Sequence, residues 1–545
     1  MKIIPRYLLL VLAIFISNTL SAKKIPITYD NPILTGYHPD PSICRKGDDF
    51  YIVNSSFEWF PGLPIHKSKD LVNWELIGYA MAKAEGCPKY RINTFAPTIR
   101  YHDGLFYIIN TNVGSGGNFY ITASDPAGEW SAPVWLPDAP GIDPSIFWDD
   151  DGKCYYIGQE HANPRKWTGH NNIWMQELDL KQGKLVGERK NLTSGHAANA
   201  MWTEGPHLYK IDGKYLLLLA EGGTSYHHAV TIFHSDKLWG PYTPDHANPI
   251  LTHRNLGESY PTYAIGHADF VDTPNGEWWM VALGKRVRNG YAYLARETFL
   301  IPIKLERRKG VTAEDLDSYQ TIIINEGIGI VPTTAKRPNL PWTPVPEIPT
   351  RDEFEGKDLT LRWNFRSVPK TEWHSLAGGV LTVNLRGEKA SDKWSNPSII
   401  AQRVRDFAFE ATTKMEFSAA RDNEQAGLTL YRSDMNHIIF TIKGENIVVE
   451  RRLESEKKQL YSAPYKGNGK GVVLRMISDG KDVTFYYGDS EKKLTKIDTT
   501  APLSIISDLQ PTYYNGTMVG VYASSNGAQS TTKAKFDWFE LRYNQ

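Results

Sequence analysis

One pattern recurs along the chain and narrows the choice of fold. A polar turn followed by an aromatic or apolar run occurs as "GDDFYIV" at Asp48, "HDGLFYII" at Asp103, "DDGKCYYIG" at Asp151, "IDGKYLLLL" at Asp212 and "PNGEWWMVA" at Asn275. Asp-Gly or Asn-Gly between apolar runs is a strong short-range hairpin signal. The turns lie 55, 48, 61 and 63 residues apart. Five hairpin units at that spacing predict a five-bladed β-propeller. "SKDLVNW" and "SDPAGEW", with Ser and Trp six apart, fit outer hairpins of the same blades.

A step of eight residues back from each turn reaches Asp40, Phe95, Asp143, Glu204 and His267. Each lies in the run that enters its hairpin: "HPDPSI", "TFAPTI", "GIDPSI", "WTEGPHL" and "IGHADF". The innermost strand of a propeller blade lines the central axis. Equivalent positions in five blades therefore converge, and three carboxylates, one His and one Phe are expected at one point. Carboxylates held close cannot all ionise freely, so one serves as base while another keeps its proton as acid. That division of labour suits glycoside hydrolysis. No Gly-x-Ser-x-Gly elbow supports a serine triad, and the adjacent His227 and His228 lack metal-ligand spacing. The run Asp149 to Asp151 reads as a solvated turn in preference to a calcium loop. Adjacent aromatics in "FEWFPG", Trp59 and Phe60, read as a sugar-stacking wall, with packing between blades as the competing reading.

At 545 residues the chain exceeds one hydrophobic core. Equal numbers of basic and acidic residues, 61 each, give no basic face for nucleic acid. Lys2, Arg6, the apolar run Leu8 to Ile16 and the small residue Ala22 read as a secretory signal, residues 1–22. No later segment is long enough to insert in a membrane, and the expected location is periplasmic or extracellular. Cys44, Cys87 and Cys154 are too few for a disulfide framework and are read as buried thiols. The propeller is assigned to 23–330 and a proline-rich, semi-rigid linker to 331–350. Alternating runs over 351–545, such as "HIIFTIKG" and "DVTFYYG", predict a β-sandwich.

Taken together, "HPDPSI", "FEWFPG", "SKDLVNWELIG", "APTIRYHDGLFYI", "GIDPSIFWDDDG", "TEGPHLY", "AEGGTSYHHAVTI" and "GHADFVDTPNGEWWMVALG" resemble glycoside hydrolase family 43, of the β-xylosidase and α-L-arabinofuranosidase type. The resemblance spans about residues 25–330. It implies an exo-acting, inverting hydrolase that releases terminal α-L-arabinofuranose or β-D-xylose from plant-type carbohydrate. By resemblance Asp40 is the general base, Glu204 the general acid and Asp143 the modulator of the acid. His267 matches an axial histidine beside a cation or water, with structural calcium at the axis allowed but no cofactor required. Arg286 in "LGKRVRNGYAYLARETF" matches a sugar-contacting arginine, His228 a histidine near the pocket, and Phe95 a wall residue. The sandwich is expected to be a lectin-like jelly roll that packs on the propeller. A glycan-binding propeller without catalysis and an endo-acting arabinanase are the alternative readings, and the oligomeric state is left open.

Overall fold

The computed structural model describes residues 25–257, 259–308, 319–467, 471–508 and 514–543. The expected signal segment, 1–22, lies outside the described residues, as do residues 309–318 of the connection that follows "ETFLIPIKLE".

Five antiparallel sheets follow one another from Ser42 to Ile324, four of them four-stranded and the fourth in sequence five-stranded. Their first strands are Ser42–Lys46, Thr98–His102, Ile142–Trp148, Glu204–Ile211 and Thr262–Asp272. Each touches the first strand of the next sheet, and the fifth touches the first. That closed ring of inner strands is a five-bladed propeller. The turns behave as their residues dictate. At Asp103–Gly104 and Asp212–Gly213 both residues have positive φ, so these two-residue loops match the strand twist. The fifth blade gains its outer strand from Tyr319–Ile324.

The circle is tied at its ends. Thr28–Asp30 pairs with Thr334–Lys336, so the start of the proline-rich segment belongs to the propeller. Further on, the Thr343 N–H donates to Asp70 Oδ2 at 2.8 Å, and Leu340 packs on the first blade. The segment is thus a strap laid along the propeller for much of its length.

Beyond it, two eight-stranded antiparallel sheets face each other over a core that includes Leu428, Phe440, Leu474, Phe485 and Phe536. This is the expected sandwich. One of its sheets ends on a strand from the other domain: Trp59–Phe60 pairs with Asn364–Arg366. The two domains therefore share a sheet. Cys44, Cys87 and Cys154 are buried free thiols. In the acidic turn, Lys210 Nζ sits 2.8 Å from Asp149 and 2.7 Å from Asp150, filling the place a cation would take. Among the described residues no helix is long and apolar enough to cross a membrane.

Candidate active site

The inner strands deliver their side chains through local irregularities. Register shifts fall at Ile142/Ser145, Glu204/His207 and Gly266/Ala268, next to Asp143, Glu204 and His267. Asp40, Asp143 and His267 themselves have φ near +50°, at 50°, 54° and 47°. Such bulges and left-handed residues re-aim a side chain out of the sheet pattern. The eight-residue offset read from the sequence falls near the start of four inner strands and, at His267, inside the fifth.

All five offset residues line one cavity of about 280 Å³. One oxygen each of Asp143 and Glu204 and one ring nitrogen of His267 lie within 4.8 Å of one another. His228 also lines the cavity, as do Phe57, Trp202, Arg296 and Tyr514. Asp40 is buried and held from both sides. Arg296 Nη1 donates to Oδ1 at 2.6 Å and Ser55 Oγ donates to Oδ2 at 2.6 Å. Glu204 is in the opposite state: burial, then the charge of Asp40, raise its pKa to about 8. Burial and the Glu204 charge push Asp143 well above the carboxylate range as well. Three carboxyls at one point have separated into an ion-paired one and two that favour their protons.

Two glycines make room for the imidazoles. A Cβ on Gly266 would lie 2.5 Å from the His228 ring, and one on Gly205, where φ is +58°, would lie 2.9 Å from His267. His228 Nδ1 faces the Ala264 carbonyl at 2.8 Å, and burial lowers its pKa to about 3. A neutral ring that donates from Nδ1 leaves Nε2 as a bare acceptor, and Nε2 has no partner among the described residues.

Three sequence expectations are corrected. Trp59 is fully buried in the shared sheet, edge-on to Tyr431, and Phe60 is buried beside it; neither faces the cavity, so neither can stack on a sugar there. Phe57, from the same motif, lines the cavity instead. Arg286 pairs with buried Glu297 through Nε at 2.6 Å and stands outside the cavity lining. Arg296, ten residues on, holds the inward position.

Calcium does not fit the axis. The axial carboxylate, Asp269, accepts from Arg100 Nη1 at 2.8 Å, Ser42 Oγ at 2.6 Å, the Ile43 N–H at 3.0 Å and the Tyr209 hydroxyl. Arg100 Nη2 also meets His207 Nδ1 at 2.9 Å. A guanidinium thus neutralises the axis, whereas calcium takes about 6–8 oxygen ligands. Asp143, Glu204 and His267 supply only two carboxyls, short of that oxygen count.

Four lining residues that carry a ring or a charge were missed from sequence. Trp202 stands two residues before Glu204, Arg296 and Phe57 lie in motifs already quoted, and Tyr514 carries no local signal. Tyr514 comes from the sandwich. It stacks on Phe57 with ring centroids 5.5 Å apart and meets Phe95 edge-on at 5.5 Å. Together these rings close one side of the cavity.

Residues 29–308 match the sequence profile of glycosyl hydrolases family 43. The chain belongs to that family. Residues 351–542 match the β-xylosidase C-terminal concanavalin A-like domain. A xylosidase/arabinosidase of Butyrivibrio fibrisolvens is 39% identical over 94% of this chain and 99% of its own. A non-reducing end α-L-arabinofuranosidase of Bacteroides ovatus is 37% identical over 99% of both. Among solved structures, a Bacillus halodurans xylan β-1,4-xylosidase superposes with a TM-score of 0.86 at 30% identity, covering 94% of this chain and 100% of its own. As a family 43 member the protein is a glycoside hydrolase, and the cavity at the propeller mouth is its candidate active site.

Proposed function

We propose that the protein removes single terminal pentoses, α-L-arabinofuranose or β-D-xylose, from plant-type poly- or oligosaccharides with inversion at the anomeric carbon. One observation carries the reading. Asp40, ion-paired, and Glu204, with its pKa raised to about 8, face the same small cavity. Asp40 takes a proton from water as it attacks the anomeric carbon. Glu204 gives its proton to the leaving glycosidic oxygen. Asp143, itself pushed well above the carboxylate range, lies beside Glu204 and holds the acid in place. In an inverting enzyme base and acid flank the sugar, roughly 6.5–9.5 Å apart, with water between.

The size of the cavity supports exo action. At about 280 Å³ it lies at the lower end of ligand pockets, which run from roughly 300 Å³ upward, and suits one ring. The wall of Phe57, Phe95 and Tyr514 disfavours an endo-acting groove. The activities by which the relatives are named support both pentoses, and the sequence leans toward arabinofuranose or dual action because "CPKYRINTFAP" lacks a longer insertion. The N-terminal pattern of Lys2, Arg6 and Leu8 to Ile16 supports export.

Initial rates on the nitrophenyl glycosides of both pentoses, with Asp40→Ala as control, test the reading. Activity absent in the variant and an inverted sugar seen by NMR at early times support it. Retained anomeric configuration would overturn the mechanism. Silence of folded enzyme on both glycosides, together with sugar binding, would favour the glycan-binding alternative.

A further inference from the structure

Tyr514 belongs to the sandwich yet forms a wall of a cavity built by the propeller, so something must fix it across the domain boundary. Its backbone carbonyl accepts from Arg296 Nη2 at 3.0 Å, and the same arginine pairs with Asp40. On the sandwich side the chain on both flanks of this wall meets one side chain. Arg432, only 2% exposed, donates from Nη1 to the Ser507 carbonyl at 2.8 Å and from Nη2 to Asp508 Oδ1 at 2.7 Å. Its Nε donates to the Asn515 carbonyl at 3.2 Å.

The two anchor points continue into the propeller. Asp508 Oδ2 meets Lys285 Nζ at 3.0 Å, and Lys285 also donates to the carbonyl of Thr224, a cavity residue, at 3.0 Å. Asn515 Nδ2 donates to Glu58 Oε2 at 2.7 Å, one residue from Phe57. Arg432 therefore stands where supports reaching two lining residues, Thr224 and Phe57, meet. A guanidinium suits the task, because its planar fork holds several acceptors in fixed directions at once.

We propose that Arg432 is a positioning residue of the hydrolytic site: by binding Ser507 and Asp508 on one side of Tyr514 and Asn515 on the other, it sets the Tyr514 wall against the sugar. It touches no reacting atom and acts through Tyr514. The proposal rests on the hydrolase reading above, so the wild-type rate is measured first. Inactive wild type would count against that reading, whereas the comparison below judges Arg432 by itself.

The experiment is a double-variant cycle in the full-length protein on the better nitrophenyl pentoside. Arg432→Gln, Tyr514→Ala and the double variant are assayed for kcat and KM, with thermal midpoints in parallel. A misplaced substrate-facing wall is expected to lower kcat/KM by about tenfold in Arg432→Gln, mostly through KM, within the ~10²-fold cost of small displacements. The double variant is expected to match Tyr514→Ala within about twofold, because residues acting through one another do not add. Arg432→Lys keeps the charge but not the fork, and it is expected to recover part of the KM change. It also replaces the Gln variant in the cycle should that variant fail to fold. Multiplicative losses in the double variant would overturn the proposal. So would a lowered thermal midpoint with unchanged kcat and KM, which would make Arg432 a stabilising residue only.

Discussion

Arg296 Nη1 donates to Asp40 Oδ1 at 2.6 Å, and both side chains are at least nine-tenths buried. The proposed base is therefore paired with an arginine ten residues beyond the one expected to contact the sugar. Arg296→Ala should lower kcat/KM by about 10²–10³-fold, the usual cost of removing a preorganised donor. Arg286→Ala should leave kcat/KM within a few fold. It strands buried Glu297 without its ion partner, so it should cost about 3 kcal/mol of stability. Kinetics and thermal melts on the two variants check this; the reverse pattern would return the sugar-facing role to Arg286.

Base and acid can be told apart by leaving group. Asp40→Asn should lose about 10²–10⁴-fold in rate on every substrate, since water must always be activated. Glu204→Gln should lose as much on an unactivated disaccharide. It should lose far less on a nitrophenyl glycoside, whose phenolate leaves without a proton. Equal losses in Glu204→Gln on both substrates would contradict the acid role.

The pH profile should carry the mark of the raised acid. Glu204 works protonated, and its pKa of about 8 keeps it so through neutral pH. As pH rises through that value the acid form is lost, so kcat/KM should fall above about pH 8. Asp143 is itself pushed well above the carboxylate range, by burial and then the Glu204 charge, so it carries no charge while Glu204 holds its proton. Asp143→Asn should therefore lower kcat/KM through lost positioning of Glu204 and leave the alkaline limb near pH 8. A limb that moves to lower pH would show that Asp143 tunes the acid by charge.

Much of this site was legible because a propeller repeats itself. Once five turns shared an eight-residue offset, Asp40, Phe95, Asp143, Glu204 and His267 had to meet, and they line one cavity. The misreadings have a common cause in distant chain. Trp59 and Phe60 look like an exposed platform only until Phe365 and Arg366, some three hundred residues later, pair with them. Arg286 and Arg296 lie in one quoted stretch, and nothing local says which faces inward. The Tyr514 carbonyl accepts from Arg296, and that of its neighbour Asn515 from Arg432, contacts that no local pattern announces.

The contrast between Phe57 and Trp59 follows from that shared sheet. Trp59→Ala would open a cavity where the domains join, at a cost of about 3–5 kcal/mol, and should lower the thermal midpoint steeply. Phe57→Ala removes a ring that faces the sugar and stacks with Tyr514, so it should raise KM. Melting curves and KM values for both variants check this. A KM effect from Trp59→Ala in protein that melts like the wild type would restore its place as a stacking wall.

Calcium should be without effect on this enzyme. The axial Asp269 already accepts from Arg100, Ser42, Tyr209 and a backbone N–H, and these partners hold its pKa well below the usual carboxylate range. Because any ion that binds the native state alone raises its stability, a hidden calcium site would reveal itself as a calcium-dependent thermal midpoint. Treatment with EDTA followed by added calcium should leave both the midpoint and kcat/KM unchanged. Arg100→Gln should instead destabilise the propeller by about 3–5 kcal/mol, since it leaves a buried carboxylate without its counter-charge. A midpoint that rises with calcium in the wild type would mean that a cation, and not only the guanidinium, serves the axis.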